Sequence, residues 1–403
     1  MRLTRRTALA GAAAIATGGG GARAWAQARG QVGERLYALV EAYSQWPHHR
    51  SGTPEGRNTA AWIDTQLKRL AAPTRRIPYE FERYEFFVEV RARGRLLESL
   101  PLFYEAFNQV NSSTPIIRPV TLVNNVDRKE IVESITSPPN AKSPIVLLPT
   151  FSKFGSEPPK GMLIGVDSGP AHKGSGIPTV MISGEHLETL KAGGVTVQFR
   201  ARRVTDRDET IIAELGSGGI RPLVITTPIG GWFSAAGERG TGIAIALELV
   251  AHFAREMPVI FIATTGNELE FNGLKSLIKW GYRVEPYGVV HIGAAVGAGV
   301  KKSGERSLTL ASTRVAMSNK PAGPNTGMGA ALKPGGFTGT ERFTDEGAIW
   351  REFLGKEVPL LSFDGTFPLM RTPDDVPSLV TSPALLETAY RSMLDATRAL
   401  LAA

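Results

Sequence analysis

The sequence predicts an α/β fold: a three-layer sandwich with a mostly parallel central sheet, plus a small inserted β-rich domain. Three observations predict it. From Pro222 to Gly293 strand and helix patterns alternate, as Pro222–Thr226, GIAIALELVAHFARE, VIFIATT, a further helix and VVHIG. Strands joined this way by helices lie parallel, with helices on both faces. Between about Leu100 and Val204 the texture changes to short apolar runs broken by Pro, Gly, Ser and Lys. The 403 residues are also enough for two domains and a sizeable core.

The first 26 residues read as a targeting segment. They have a charged start, a weakly apolar middle and a small-residue end at Ala24-Trp25-Ala26, a pattern that predicts cleavage after Ala26. Arg5-Arg6 after Thr4, with Leu9 following, reads as a twin-arginine signal, so the expected location is periplasmic or secreted. An ordinary secretory signal or an anchor is the competing reading. No later stretch has the apolar length of a membrane span, so no integral membrane segment is expected after signal cleavage.

The formal charge is +8, and removing the four arginines of residues 1–26, which hold no acid, leaves +4. That is mild, and no basic run carries interleaved aromatics, so nucleic acid is not an expected partner. There is no cysteine, which excludes thiol catalysis and cysteine-zinc sites.

The elements follow in order. Val32, Leu36, Leu39, Val40 and Tyr43 share one helical face. Thr53 is a candidate N-cap with Pro54 in the first helical position, and Ile63, Leu67 and Leu70 face inward. YEFFVEVRA is a strand. Short strands are expected at Ile145–Leu148, Met162–Val166, Ile177–Met181 and Val195–Phe199, and the chain returns to the main sheet at Thr210–Leu215. SLTLAST predicts a strand at 307–313, residues 314–350 read as loop with helical pieces, and Pro359–Phe363 is a strand. A final helix is capped by Ser382 with Pro383 next, and Leu385, Leu386, Tyr390, Met393, Leu394, Leu400 and Leu401 form its apolar face. The domains are 1–26 (signal), 27–100 with 205–403 (main domain) and 101–204 (insert).

Ligands of such sheets bind beyond the carboxyl ends of the strands. Those ends carry Trp232, Glu238, Arg239, Asn267, Glu268 and His291. Trp232 either stacks on a ligand or covers the core. His172 and His186 lack a second ligand at metal spacing and read as surface or packing residues, as does His252. His48 and His49 are neighbours that point apart. Ser234 lacks the flanking glycines of a nucleophile elbow, and no phosphate loop is present.

The segments RSGTPEGRNTAAWIDTQL, FIATTGNELEFNGLKSL and FPLMRTPDDVPSLV, in this order, resemble the co-catalytic zinc aminopeptidase family, which includes glutamate carboxypeptidase and the transferrin receptor. The resemblance spans about residues 31–401. Within it, GIPTVMISGEHLETLKAGGVTVQFRARR resembles a protease-associated domain, a kind of insert that shapes substrate access or binds partners.

The resemblance implies where zinc ligands would stand, and most are replaced. The family's first strand ends in a histidine two residues before an aspartate; here Thr226-Thr227-Pro228-Ile229-Gly230 has neither. The metal-bridging aspartate falls on Glu238 or Arg239. The paired glutamates, general base then ligand, are Asn267 and Glu268, and an amide cannot take a proton from water. A further aspartate is expected where Val290-His291-Ile292-Gly293 stands. The last histidine is Arg371, followed by Thr372, Pro373, Asp374 and Asp375, where the two acids read as a turn and a cap.

Guanidinium groups carry permanent charge where a dication would sit. The expectation is therefore an Arg/Glu cluster in which Arg239 and Arg371 neutralise Glu238 and Glu268, with no metal. Trp232 and Asp374 are the candidate ligand contacts, and a peptide or small molecule is the expected partner, held in a cleft between the two domains. The alternative is an active hydrolase with an altered site, or with one zinc held by Glu238, Glu268 and His291, as one zinc serves the related glutaminyl cyclases.

Overall fold

The computed structural model describes residues 32–403 apart from 103–104, 124–130, 132–144, 155–157, 168–175, 217–220, 284, 302–304, 306, 312 and 356. The targeting segment and His172 lie outside the described residues. Ten strands form the main sheet: β1 (Thr74–Ala92), β2 (Arg95–Leu97), β3 (Phe107–Ser112), β4 (Val195–Leu215), β5 (Leu223–Pro228), β6 (Val259–Thr264), β7 (Gly288–Ile292), β8 (Thr313–Ser318), β9 (Thr338–Thr340) and β10 (Leu360–Thr366). Their order is β9-β8-β10-β7-β5-β6-β4-β1-β2, with β3 on β4.

The centre, β6-β5-β7-β10, is parallel, and antiparallel strands flank it on both sides. The centre is buried on both faces because successive residues feed two different cores. Leu223 and Ile225 of β5 pack with Leu36 and Val40 of α1 (Val32–Tyr43), Ile63 and Leu67 of α2 (Pro54–Arg69), Ile243 of α3 (Thr241–Phe253) and Met393 of α6 (Pro383–Leu401). Val224, between them, packs on the opposite face with Leu274 and Leu277 of α4 (Asn272–Lys279) and Trp350 of α5 (Asp345–Leu354). This alternation of apolar residues accounts for the three layers.

The helix starts follow the sequence. The Thr53 hydroxyl accepts from the Gly56 amide at 3.1 Å, and the Ser382 hydroxyl accepts from the Leu385 amide at 3.4 Å. Three expectations need correction, the third of them in the second sheet. The strand placed in the insert at Val195–Phe199 and the return at Thr210–Leu215 are one 21-residue strand, β4, paired with β1 over 19 positions. Residues 314–350 supply β8 and β9 to the main sheet edge as well as helices at Gly327–Leu332 and Asp345–Leu354.

A second sheet of six strands is built from Ser99–Pro101, Ile116–Ile117, Val120–Leu122, Val146–Ser152, Lys160–Gly161 and Thr179–Ser183. Ile145, Leu147, Val180 and Ile182 pack one of its faces against Val90, Val197 and Phe199 of the paired strands β1 and β4. Met162–Val166, expected as a strand, is buried chain without regular structure.

Candidate functional site

The parallel strands all end on one side, and four connecting segments meet there: Ile229–Gly240 after β5, Thr265–Phe271 after β6, Gly293–Ala295 after β7 and Phe367–Asp375 after β10. Their backbones are unusual. Ala236–Gly240 is one turn of π-helix leading into α3, a feature frequent at functional sites. Phe233, Ala235, Phe271 and Arg371 are all left-handed, which costs energy for side-chain-bearing residues and is held only by surrounding contacts.

At the centre lies a buried group of opposite charges. Glu238 Oε1 is 3.3 Å from Arg371 Nε and 3.3 Å from Arg239 Nη2. Arg371 also pairs through Nη2 with Asp167, which accepts from Trp232 Nε1 at 3.0 Å through its other oxygen. Arg239 Nε donates to the Gly230 carbonyl at 3.1 Å. Two guanidinium groups thus face two carboxylates. Burial opposes the charge on Arg371, but Asp167 and Glu238 outweigh it and hold its pKa above the ordinary value. The same balance raises Arg239, with Glu238 the main partner.

Asp375 supports this group from below. Its carboxylate accepts from the amides of Gly237 at 2.6 Å and Glu238 at 3.1 Å, and its carbonyl accepts from the Ser234 hydroxyl at 2.7 Å. It therefore fixes the π-turn rather than capping the last helix, and full burial pushes it up to about 8. Asp374, the residue before it, is exposed and 3.8 Å from Lys160. Trp232 is buried, between Asp167 at its nitrogen and the Arg50 guanidinium 4.9 Å from its ring centroid.

Glu268 stands apart from the arginines, contrary to expectation. Its Oε1 accepts from the Ser51 amide at 2.5 Å, and the Ser51 hydroxyl accepts from the Gly266 amide at 2.6 Å. Among the described residues Glu268 has no ion pair. Burial raises it to about 7, against the Ser51 donor. Its Oε2 and Asn267 Oδ1 are buried acceptors with no hydrogen-bond partner among the described residues, and both rest against Gly230, where a Cβ would meet each at 2.7 Å.

His291 does not join Glu238 or Glu268. Val290 and Ile292 face the α1/α3 core, so His291, between them, faces the α5 layer. There its Nε2 lies 3.6 Å from Glu346 Oε2, and Thr264 donates to Glu346 Oε1 at 3.1 Å. Burial, then the charge of Arg239, lowers His291 to about 3, while burial lifts Glu346 to about 7. His49 is buried too, stacked on Tyr43 at 3.8 Å and bonded to Thr59 and to the Ser234 carbonyl. His48 lies 3.8 Å from Glu55, and His252 lies 3.1 Å from Glu256 near Arg398. Glu270 sits in the turn before α4, 3.9 Å from Lys275.

Glu238, Glu268 and His291 therefore have three different partners in this structure. Among the described residues no group of three or more His, Asp or Glu side chains is placed to hold a metal. Sequence reasoning missed Asp167, Ser51 and Glu346, and it misassigned Asp375. Asp167 lies in the inserted stretch and Glu346 in a region read as loop, so neither carries a local signal; Ser51 and Asp375 stood inside the quoted motifs.

No family model and no curated protein matches the sequence. Solved structures do. A peptidase M28 precursor from Shewanella amazonensis is similar with a TM-score of 0.63 at 12% identity, over 94% of this chain and 96% of that one. The zinc aminopeptidase BSAP from Bacillus subtilis gives 0.62 at 15% identity, over 91% and 94%. An aminopeptidase from Aneurinibacillus sp. strain AM-1 gives 0.54 at 16% identity, over 91% and 93%. The chain has a zinc aminopeptidase-like fold.

Proposed function

We propose that this is an exported, peptidase-like protein whose metal site has been replaced by an ion-pair cluster and whose cleft binds a peptide or small polar ligand. The observation that carries the reading is the placing of both Arg371 and Arg239 3.3 Å from Glu238 Oε1. Each guanidinium satisfies the carboxylate as a metal would, and its fixed charge repels a dication. Two unpartnered acceptors, Glu268 Oε2 and Asn267 Oδ1, favour a ligand that presents N–H or O–H donors. The six-stranded second sheet fits a protease-associated-like insert, and Asp167 is its contribution to the cluster. Residues 1–26 direct export by the twin-arginine route; among the described residues no helix is long and apolar enough to cross a membrane.

A second reading has one observation in its favour. Glu268, raised to about 7 with a free carboxylate oxygen, has the properties of a general base near neutral pH. It would make the protein a metal-independent hydrolase. Metal analysis of the exported protein, combined with aminopeptidase assays with and without chelator, tests both. The expected result is less than stoichiometric zinc and no chelator-sensitive turnover. Zinc at one or two per chain with chelator-sensitive turnover overturns the proposal, and turnover without metal selects the second reading.

A further inference from the structure

The long antiparallel pair β1 and β4 carries a cross-strand ladder of opposite charges on one face. Glu80 faces Arg207, Arg76 pairs with Glu209, and Glu82 reaches Arg203. Such pairs satisfy each charge locally. On the other face of the same two strands Glu85 faces Arg202, and at the next position on that face Arg200 stands opposite Phe87, an aromatic side chain that is 45% exposed. Arg200 is itself exposed and makes no ion pair with any described residue.

Phe87 and Arg200 open on a pocket of about 410 Å³ whose walls also include Arg50, Arg83, Glu85, Phe86 and Arg202. Its charge is strongly unbalanced. Glu85 is shared by Arg83 at 2.6 Å and Arg202 at 2.5 Å, and Asp206 is shared by Arg83 at 2.6 Å and Arg57 at 2.8 Å. Arg50 lies over the rings of Phe86 and Trp232. Among the described residues that line the pocket, Glu85 is the one acid against the arginines Arg50, Arg83, Arg200 and Arg202. Arginine forks match carboxylates in shape as well as charge, and the aromatic walls suit an apolar body. The volume is that of a small-ligand site.

The geometry points to this pocket as a binding site for an acidic ligand: a carboxylate on an aromatic or aliphatic body, as in an acidic peptide. The carboxylate takes the place of the acid missing opposite Arg200, within reach of Arg202, and the apolar part lies on Phe87 and Phe86. This deepens the proposed ligand-binding role by naming the ligand's charge. Trp232 is the partition between the two places. Arg50 stacks on it from the pocket side, and Asp167 of the ion-pair cluster holds its nitrogen.

Calorimetric titration of the full-length protein tests it, with the C-terminal amides of N-acetyl-Glu-Phe and N-acetyl-Lys-Phe, which differ only in the first side chain, and inorganic phosphate as separate probes. The acidic dipeptide is expected to bind, more weakly as salt rises, and the basic one not to bind. Arg200→Gln is expected to weaken the acidic dipeptide about tenfold, as for one lost charge-assisted bond. Arg200 is exposed and makes no ion pair with a described residue, so this variant folds; Lys191→Gln, which removes an exposed charge outside the pocket lining, is the control and is expected to bind as the parent does. Equal binding of both dipeptides, or an Arg200→Gln variant that binds normally, overturns the proposal. Phosphate binding as tightly as the acidic dipeptide also overturns it, by removing any part for the aromatic walls. The readout is independent of metal and turnover, so finding zinc would defeat the ion-pair reading and leave this one standing.

Discussion

Replacing Arg371 with methionine removes the cation that spans Asp167 and Glu238 while keeping an unbranched side chain of similar reach. Residue 371 has a φ of 62°, a strain that any non-glycine side chain shares, so the backbone contribution cancels in the comparison. What remains is electrostatic. Asp167 keeps the Trp232 Nε1 donor at 3.0 Å, and Glu238 keeps Arg239 at 3.3 Å. Neither carboxylate is left bare, so the cost belongs at the lower end of the range for removing one partner of a buried ion pair, about 3 kcal/mol. Urea unfolding at pH 7 reads this as a lower midpoint with an unchanged slope. Arg371→Lys keeps the charge but cannot hold Asp167 and Glu238 with one fork, so it falls between parent and methionine. In a cycle with Glu238→Gln the two changes are expected to couple by roughly 1–3 kcal/mol, because the second removes the charge that the first left under-compensated. A methionine variant that costs less than about 1 kcal/mol, or a cycle with no coupling, would refute the claim that Arg371 replaces a metal as the counter-charge of this cleft.

Two further outcomes concern the other side of the cleft. Burial raises Glu268 from 4.5 to about 7, so the folded state holds its proton more tightly than the unfolded chain. The stability this gives is complete below the unfolded value and is lost as pH rises through about 7. Glu268→Gln, which does not titrate, should therefore gain on the parent by about 3 kcal/mol between pH 4.5 and 7 in urea unfolding; a difference that stays flat with pH would show that Glu268 is not desolvated. Gly230→Ala would press a Cβ to 2.7 Å from both Asn267 Oδ1 and Glu268 Oε2. It should cost about 1–3 kcal/mol and reduce binding in the cleft, whereas Gly323→Ala, whose Cβ meets nothing, should be nearly neutral in the same melts.

The fold was legible because its signals are local and repeated. The Leu223-Val224-Ile225 alternation, the Thr53 and Ser382 caps and the glycine-rich turn after β5 each name their element within a few residues. What was not legible is long-range pairing. The stretch Thr74–Ala92 does not announce that it will pair with Val195–Leu215 across a whole inserted sheet, so β4 was divided between two domains. The site shows the same division. Arg371 could be placed against Glu238 from the order of the strand ends, because parallel strands deliver those ends to one side. The partner that completes it, Asp167, lies 204 positions earlier on buried chain without regular structure, and no spacing points to it. His291 was misplaced for a third reason, a question of face rather than position. It lies in a strand whose neighbouring residues feed the α1/α3 core, and period-2 geometry turns its ring toward Glu346. A ligand set read from strand ends must therefore also satisfy strand parity.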